Sequence, residues 1–248
     1  MTPDFTLAKY SELLDALKAY GFQELTLRHD VDLRPNNSLR TAIIEAEKGM
    51  RGIYYFRAVP ESWNEETIKL IALLGHEIGY HYESLTTCKG DIDKAFEDFC
   101  SNLERLRAIV PVRSICMHGS PRSPFDSKDI WKKYNYHKLG IDNEPYLDTD
   151  FSQVYYLTDT GRRWDGYKMS VRDKIPHFQN IWSAQGLVFH STDSIIKGLH
   201  DGIIPKRLML TVHPQRWNPF GPAWCKELLL QNAKNVVKRV LISRRIES

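Results

Sequence analysis

Hydrophobic residues along the chain follow two spacings, and segments with one spacing alternate with segments of the other. Apolar residues three or four positions apart, as on one face of a helix, predict helices at about 7–20, 39–48, 64–74, 91–110, 195–199 and 223–240. Short apolar runs between them predict strands at 25–27, 52–56, 75–83, 112–117, 186–190 and 208–212. This alternation predicts an α/β fold built on a parallel sheet or barrel.

The pattern weakens between residues 122 and 185, which are rich in Tyr, Trp, Asp and Arg. We expect irregular loops with short strands there. A chain of 248 residues suffices for one large α/β barrel or two small domains. The sequence has no evident linker and no evident internal repeat, so residues 1–248 are predicted to form a single domain built on a parallel sheet or barrel.

Composition limits the classes of protein that fit. The 42% hydrophobic and 26% charged residues are typical of a globular protein, and the formal net charge of +3 is too small to indicate nucleic-acid binding. No apolar run approaches the length of a membrane span, and the polar start has no signal-peptide pattern. The four cysteines form no C-x-x-C pair, which favours reduced thiols. We therefore expect a cytoplasmic protein.

Ionisable side chains stand where four of the predicted strands end. Asp30 and Asp32 close the first strand, and His81, His118 and His213 close three later ones. Ligands bind beyond the carboxyl ends of strands in parallel sheets and barrels, so these groups are expected to converge on one rim. Asp30 and Asp32 share a face of an extended strand and repel each other, which a divalent cation or a shared proton would relieve. A single histidine at a strand end is more often structural. Four strands that all end in an aspartate or histidine favour a functional site.

Nitrogen and carboxylate ligands from separate strands suit Zn²⁺ or a similar divalent ion with one open coordination position. Such an ion acidifies water and polarises a carbonyl, while a nearby carboxylate accepts a proton and a histidine protonates the leaving group. The motifs G-x-S-x-G, G-x-G-x-x-G and G-x-x-x-x-G-K-[ST] are absent. The pattern therefore favours metal-assisted hydrolysis of an amide or ester.

Three short motifs resemble those of the NodB-homology polysaccharide deacetylases. Asp30-Val31-Asp32 matches the family's Asp-x-Asp. Gly75-His76-Glu77-Ile78-Gly79-Tyr80-His81 is similar to its G-H-E-I-G-N-H, and Leu210-Thr211-Val212-His213 is similar to its Leu-x-x-His. The resemblance is to a divergent, deacetylase-like branch of surface-polysaccharide biosynthesis, and it implies a distorted (β/α) barrel and a carbohydrate substrate.

The resemblance also implies a role for each matching residue. Asp30 would be the catalytic base and His213 the catalytic acid. Asp32 and His81 would bind one divalent ion, expected to be Zn²⁺, with His76 as a supporting residue. The implied activity is removal of an acetyl group from an N- or O-acetylated sugar or polysaccharide precursor.

Two departures from the family pattern leave alternatives open. The family's second metal histidine lies four residues after the first, and Leu85 occupies that position. His118 is the preferred third ligand, because it is also an imidazole at the same rim, and Glu83 is the alternative. The family's R-x-P-Y motif is replaced by a segment ending in Arg122, which we expect to orient the base and contact substrate. Arg28 is expected to neutralise the aspartate pair.

The missing ligand also allows a different function for the same fold. A non-catalytic carbohydrate-binding homologue would begin with the loss of a metal ligand. A metal-dependent hydrolase of another C–N bond or of a phosphoester would use the same activated water. The sequence does not give the sugar, the acyl group or the oligomeric state.

The resemblance also implies that the segment at 156–165, which is rich in Trp, Arg and Asp, is a loop that lines the site. Asp159 and Arg163 would hydrogen-bond sugar hydroxyls, and Trp164 would stack on a sugar ring. The alternative is a β-turn held by Asp159, with Trp164 as a packing residue. Trp217 is either a second aromatic for substrate or a cap over the barrel mouth.

Overall fold

The computed structural model of the protein describes residues 2–120, 123–164 and 175–246, with side chains described as far as residue 236. Its centre is a parallel sheet of six strands, which lie in the order β4-β3-β2-β1-β6-β5. Because every neighbouring pair is parallel, the carboxyl ends of all the strands lie at one edge. The strands are β1 (Glu24–Val31), β2 (Ile53–Phe56), β3 (Glu77–Tyr82), β4 (Ser114–Met117), β5 (Tyr155–Thr158) and β6 (Arg207–Val212).

Helices connect the strands, as the alternating pattern predicts. Thr6, Asn64 and Asp91 each cap a helix, because each side chain accepts a backbone N–H three residues further on. The α-helices are α1 (Leu7–Tyr20), α2 (Pro35–Glu47), α3 (Glu65–Leu73), α4 (Ser84–Thr87), α5 (Ile92–Arg107), α6 (Pro145–Asp148), α7 (Pro176–Ala184), α8 (Thr192–His200) and α9 (Pro222–Ile246). Short 3₁₀ segments span Ser127–Lys132, Tyr136–Leu139 and Pro214–Arg216.

The sheet curls into a half-barrel, which confirms the α/β class and is compatible with a distorted barrel. Among the described strands, β4 and β5 are the two edges and do not pair with each other. The β4 edge is partly covered, because the Asn143 carbonyl accepts the Ile115 N–H at 3.0 Å. A short extended segment thus follows β4 where a closed barrel would have another strand.

The prediction of a strand at 186–190 is wrong. Residues 187–190 have no regular secondary structure, although Leu187 and Phe189 are buried in the same apolar cluster as Trp182. The Leu187 carbonyl accepts a hydrogen bond from the Tyr155 hydroxyl at 2.9 Å, and not from the backbone N–H of a neighbouring strand. The apolar run therefore marks burial, which irregular core segments share with strands.

Strand β1 separates two buried polar layers, because its successive side chains point to opposite faces. His29 faces α2, where its Nε2 lies 2.8 Å from Glu45 Oε1 and its ring stacks on Tyr54 with centroids 4.0 Å apart. Burial raises the pKa of Glu45, but the contacts with His29 and its neighbours outweigh burial and lower it. The contacts between His29 and Glu45 thus hold α2 against the sheet. Arg28 and Asp30 lie on the other face of β1.

Candidate metal centre

Three side chains from three strand ends converge at the carboxyl edge of the sheet. Asp32 follows β1, His81 lies near the end of β3, and His118 follows β4. His118 Nδ1 lies 3.1 Å from Asp32 Oδ1 and 3.2 Å from His81 Nε2, and His81 Nε2 lies 3.7 Å from Asp32 Oδ1. The predicted convergence of these strand ends is confirmed. The three residues form a group that could hold a metal ion.

The spacing of these atoms fits a small divalent ion. Zn²⁺ binds nitrogen and oxygen ligands at about 2.0–2.2 Å, which puts tetrahedral ligand atoms about 3.3–3.6 Å apart. The three distances in the group, 3.1, 3.2 and 3.7 Å, bracket that value. Asp32 Oδ1 is also buried, and none of the described residues gives it a well-directed hydrogen bond, so a lone pair remains for a ligand bond.

His81 is oriented as a ligand by its second nitrogen. His81 Nδ1 lies 2.8 Å from the Cys116 carbonyl oxygen, so Nδ1 donates and Nε2 keeps a lone pair toward Asp32 and His118. Burial is the main cause that lowers the pKa of His81 to about 4. The imidazole is therefore neutral at ordinary pH, which metal binding requires.

Two polar side chains that sequence reasoning missed hold Asp32. Gln215 Nε2 donates to Asp32 Oδ2 at 3.1 Å, and Arg57 Nη1 donates to the Asp32 backbone carbonyl at 3.1 Å. Burial raises the pKa of Asp32, but His118 and the other imidazoles outweigh burial, so the pKa is well below its usual value. Asp32 is therefore ionised and oriented.

The two candidates for the third ligand have different surroundings. Glu83 Oε1 is paired with Arg57, at 2.9 Å from Nε and 2.7 Å from Nη2, and is absent from the group. Leu85 is buried in a small apolar cluster with Ala95 and Ile130. The structure therefore brings His118 to Asp32 and His81, and it makes position 85 part of the core.

His76 lies away from the group, just before β3 begins. Its Nδ1 accepts the Gly52 N–H at 3.1 Å, and its Nε2 lies 2.9 Å from the Ala42 carbonyl oxygen. It therefore links α2 to the start of β2, and any support that it gives to the centre is through the fold.

Asp30 is fixed beside the group by a buried arginine. Arg28 donates from Nε to Asp30 Oδ1 at 2.8 Å and from Nη2 to Asp30 Oδ2 at 2.7 Å, and it also contacts the Tyr146 hydroxyl. Asp30 Oδ2 lies 3.9 Å from His81 Nε2. Arg28 thus pairs with Asp30 and not with both aspartates. Arg122, predicted to orient the base, lies outside the described residues.

A second combination of potential ligands shares His81. Asp30, His81 and Cys116 place one ligand atom each within 4.8 Å of one another, and all three are buried. The positive charge of Arg28 is bonded to both Asp30 oxygens and offsets the attraction of Asp30 for a cation, whereas no described arginine or lysine is bonded to Asp32 Oδ1. We therefore take the group of Asp32, His81 and His118 as the candidate centre. Sequence reasoning did not single out Cys116.

His213 lies near the second carboxylate oxygen of Asp32 and is held by a buried carboxylate. His213 Nδ1 lies 2.6 Å from Asp159 Oδ1, and its Nε2 lies 3.9 Å from Asp32 Oδ2. Asp159 also accepts from Arg216 Nη1 at 2.6 Å and from Trp217 Nε1 at 2.8 Å. Burial and Arg216 lower the pKa of His213, but Asp159 and Asp32 outweigh them and raise it above its usual value.

The residues predicted to contact substrate lie mostly in the core. Asp159 and Trp217 have no exposed surface, and Trp164 is also buried. Trp164 Nε1 donates to Thr192 Oγ1 at 2.9 Å, and its ring packs near Trp217. Trp164 thus has the packing role that the sequence left open, and Asp159 and Trp217 position His213. Arg163 is partly buried, and its contact with substrate stays a prediction.

A cavity of about 190 Å³ lies beside Asp32. It is bordered by the loop after β1, by the segment after β6 and by α9. Arg34 and Lys234 are cations in its wall, and Arg34 Nη1 pairs with Glu227 Oε2 at 2.9 Å. The space next to the centre is therefore polar and suits a polar ligand.

Comparison with known proteins does not assign a family. No protein-family model matches the chain. A stretch of 62 residues is 42% identical to a protein of Laccaria bicolor named vacuolar protein sorting/targeting protein 10. That match covers 25% of the chain and 4% of the fungal protein, which is too little to transfer a family. Within the described part of the chain, no helix combines the length and hydrophobicity needed to cross a bilayer.

Proposed function

We propose that the protein is a metal-dependent hydrolase that removes an acetyl group from an N- or O-acetylated sugar or polysaccharide precursor. One observation carries the proposal: a metal-capable group lies between a fixed carboxylate and a fixed histidine. Asp32, His81 and His118 form the group, Asp30 Oδ2 lies 3.9 Å from His81, and His213 Nε2 lies 3.9 Å from Asp32. Base, ion and acid in that order are the parts that acyl hydrolysis needs.

Asp30 acts as the base that accepts a proton from the attacking water. Burial lowers the pKa of Arg28, but Asp30 outweighs burial and raises it, so the arginine stays charged and the pair stays ionic. A carboxylate has about four lone-pair sites, so the two bonds from Arg28 leave acceptor capacity for the water proton. Arg28 thereby holds the orientation of Asp30 without blocking it.

The ion would be held by Asp32, His81 and His118. When bound, Zn²⁺ or a similar ion supplies Lewis acidity that polarises the acyl carbonyl and acidifies water. The protein keeps the His81 ring in the ligating tautomer through the Cys116 carbonyl and keeps Asp32 ionised among imidazoles.

His213 acts as the acid. The water oxygen adds to the acyl carbon, the bond from that carbon to the sugar nitrogen or oxygen breaks, and His213 gives its Nε2 proton to the leaving atom. Acetate and the free sugar amine or hydroxyl are the products. Asp159 and its partner Arg216 hold the imidazole in place from the Nδ1 side.

The non-catalytic alternative has less support. It rests on Leu85 at the position of a family ligand, but His118 supplies an imidazole in the same group. A pure binding protein would not require a buried arginine on Asp30 or a buried aspartate on His213, since Arg28 and Asp159 are both too deeply buried to contact a ligand.

Acetate release tests the proposal. Protein loaded with Zn²⁺ is expected to release acetate from at least one member of a panel of N-acetyl and O-acetyl sugars. Chelation is expected to lower the rate at least about 100-fold, because the acidified water is lost, and added Zn²⁺ is expected to restore it. The same panel includes phosphoesters, with the chelated protein as the matched control. Phosphate release without acetate release would contradict the deacetylase and favour a phosphoesterase.

A further inference from the structure

The helix α9 packs on the protein with its polar side. Glu227, Gln231 and Asn235 follow each other four residues apart and are all buried. Leu229 and Val236 are 70% and 62% exposed, and Leu230 is also exposed. Surface helices normally bury the apolar face and expose the polar face, so the arrangement in α9 is the reverse of the usual one.

Specific polar contacts hold the helix in this orientation. Glu227 pairs with Arg34 at 2.9 Å, and Asn235 Nδ2 donates to the Gly161 carbonyl at 2.9 Å. Gln231 Nε2 donates to Asn235 Oδ1 at 2.8 Å. Rotating α9 to bury its leucines would break the bonds to Arg34 and Gly161, which lie outside the helix. The contacts of α9 with the rest of the protein therefore keep its apolar face directed to solvent.

The helix also carries a net positive charge larger than that of the whole chain. Residues 222–246 contain six basic residues and one acidic residue, a formal charge of +5, whereas the whole chain has +3. The single acidic residue, Glu227, is buried against Arg34. Lys226 and Lys234 are exposed on the part of the helix whose side chains are described. The outer side of α9 thus combines apolar and cationic residues.

We propose that α9 docks the protein on the surface of a bilayer that contains anionic phospholipids. Helices with an apolar face and Lys or Arg beside it lie in the membrane interface, where the apolar face enters the headgroup boundary and the cations meet anionic lipid. Phe220, which is 68% exposed and lies two residues before α9 begins, extends the apolar surface. A second copy of the chain fits less well, because two helices of +5 repel each other.

Membrane docking does not depend on the proposed deacetylase function, but docking would affect which substrates reach the candidate centre. Leu230, Gln231 and Lys234 of α9 border the cavity beside Asp32. Docking through α9 would therefore bring that cavity to the lipid surface. A sugar precursor attached to lipid would reach the candidate centre there.

Sedimentation with vesicles tests the docking. The full chain is expected to sediment with phosphatidylcholine vesicles that contain phosphatidylglycerol and to stay in the supernatant with pure phosphatidylcholine. Lys226→Glu is expected to weaken binding roughly tenfold or more, since one basic residue near an anionic surface accounts for about a fivefold effect. Leu229→Gln is expected to weaken it by a comparable factor.

Matched changes on α3 serve as controls. Lys69→Glu changes an exposed lysine, and Leu73→Gln changes a leucine that is 82% exposed. Both are expected to bind vesicles as the unchanged protein does. Absence of sedimentation with anionic vesicles at low salt would overturn the proposal, as would equal weakening by Lys69→Glu. A dimer that forms in solution and is lost in Leu229→Gln would assign the apolar face to a second copy instead. All these readouts are independent of acetate release.

Discussion

Replacing Asp30 with asparagine is expected to lower acetate release about 10²–10⁴-fold while the metal content stays unchanged. The asparagine amide cannot accept the water proton, yet it has nearly the same shape as the carboxylate and can keep one bond from Arg28. Asp30 is not a member of the group of Asp32, His81 and His118. Initial rates and the metal content of the same preparation are the measurements.

Asp32→Asn is the matched control for this change. It removes a carboxylate two residues away on the same strand end, and it is expected to lower both the metal content and the rate. If Asp30→Asn instead loses the ion, the alternative group of Asp30, His81 and Cys116 holds it. If Asp30→Asn keeps full activity, another residue is the base.

His213→Gln is expected to lower the rate by a similar factor of about 10²–10⁴, because the leaving atom loses its proton donor. The pH profile gives the sharper result. The folded pKa of His213 is raised, so the protonated acid persists to higher pH, and activity is lost as pH rises through that raised pKa. Asp159→Asn removes a charge that raises the pKa, whereas burial and Arg216 still lower it. The alkaline limb of the profile, where activity falls as pH rises, is therefore expected to move to lower pH.

The pH profile separates the proposed role of Asp159 from a purely structural one. A uniform loss of rate at every pH, with the alkaline limb unmoved, would mean that Asp159 only supports the fold. Trp217→Phe is the control, because it removes one hydrogen bond to Asp159 and leaves the charge in place. Its alkaline limb is expected to stay closer to that of the unchanged protein.

The parts of the fold with a strong local pattern could be predicted from the sequence. Strands β1, β3, β4 and β6 each have an apolar run that stops at an ionisable residue, so both the strand and its end are visible along the chain. Their parallel order then brings His81, His118 and His213 to the same edge as Asp32. Local pattern and topology together were sufficient for the members of the candidate centre.

The remaining features depend on contacts between distant residues, which a local pattern does not carry. Asp159 and His213 are 54 positions apart, and Gln215 and Asp32 are 183 apart. Trp164 and Trp217 have the composition of sugar-binding residues, but the packing around Phe5 makes them core. The run at 186–190 shows the same limit, since burial alone does not distinguish a strand from an irregular core segment.

The helix α9 shows a further limit of periodicity. Its apolar and polar residues have helical spacing, and the helix exists as predicted from about 223 onward. The usual inference from that spacing is that the apolar face is buried. The polar contacts of Glu227 and Asn235 with Arg34 and Gly161 reverse that inference.

Metal content tests the central claim most directly. Elemental analysis of the purified protein is expected to find about one divalent ion per chain, lost in His118→Ala and retained in Glu83→Ala. The difference follows from the structure, because His118 lies 3.1 Å from Asp32 whereas Glu83 is paired with Arg57. No bound ion after addition of Zn²⁺ or Co²⁺ would contradict the account, and so would an ion that remains in His118→Ala.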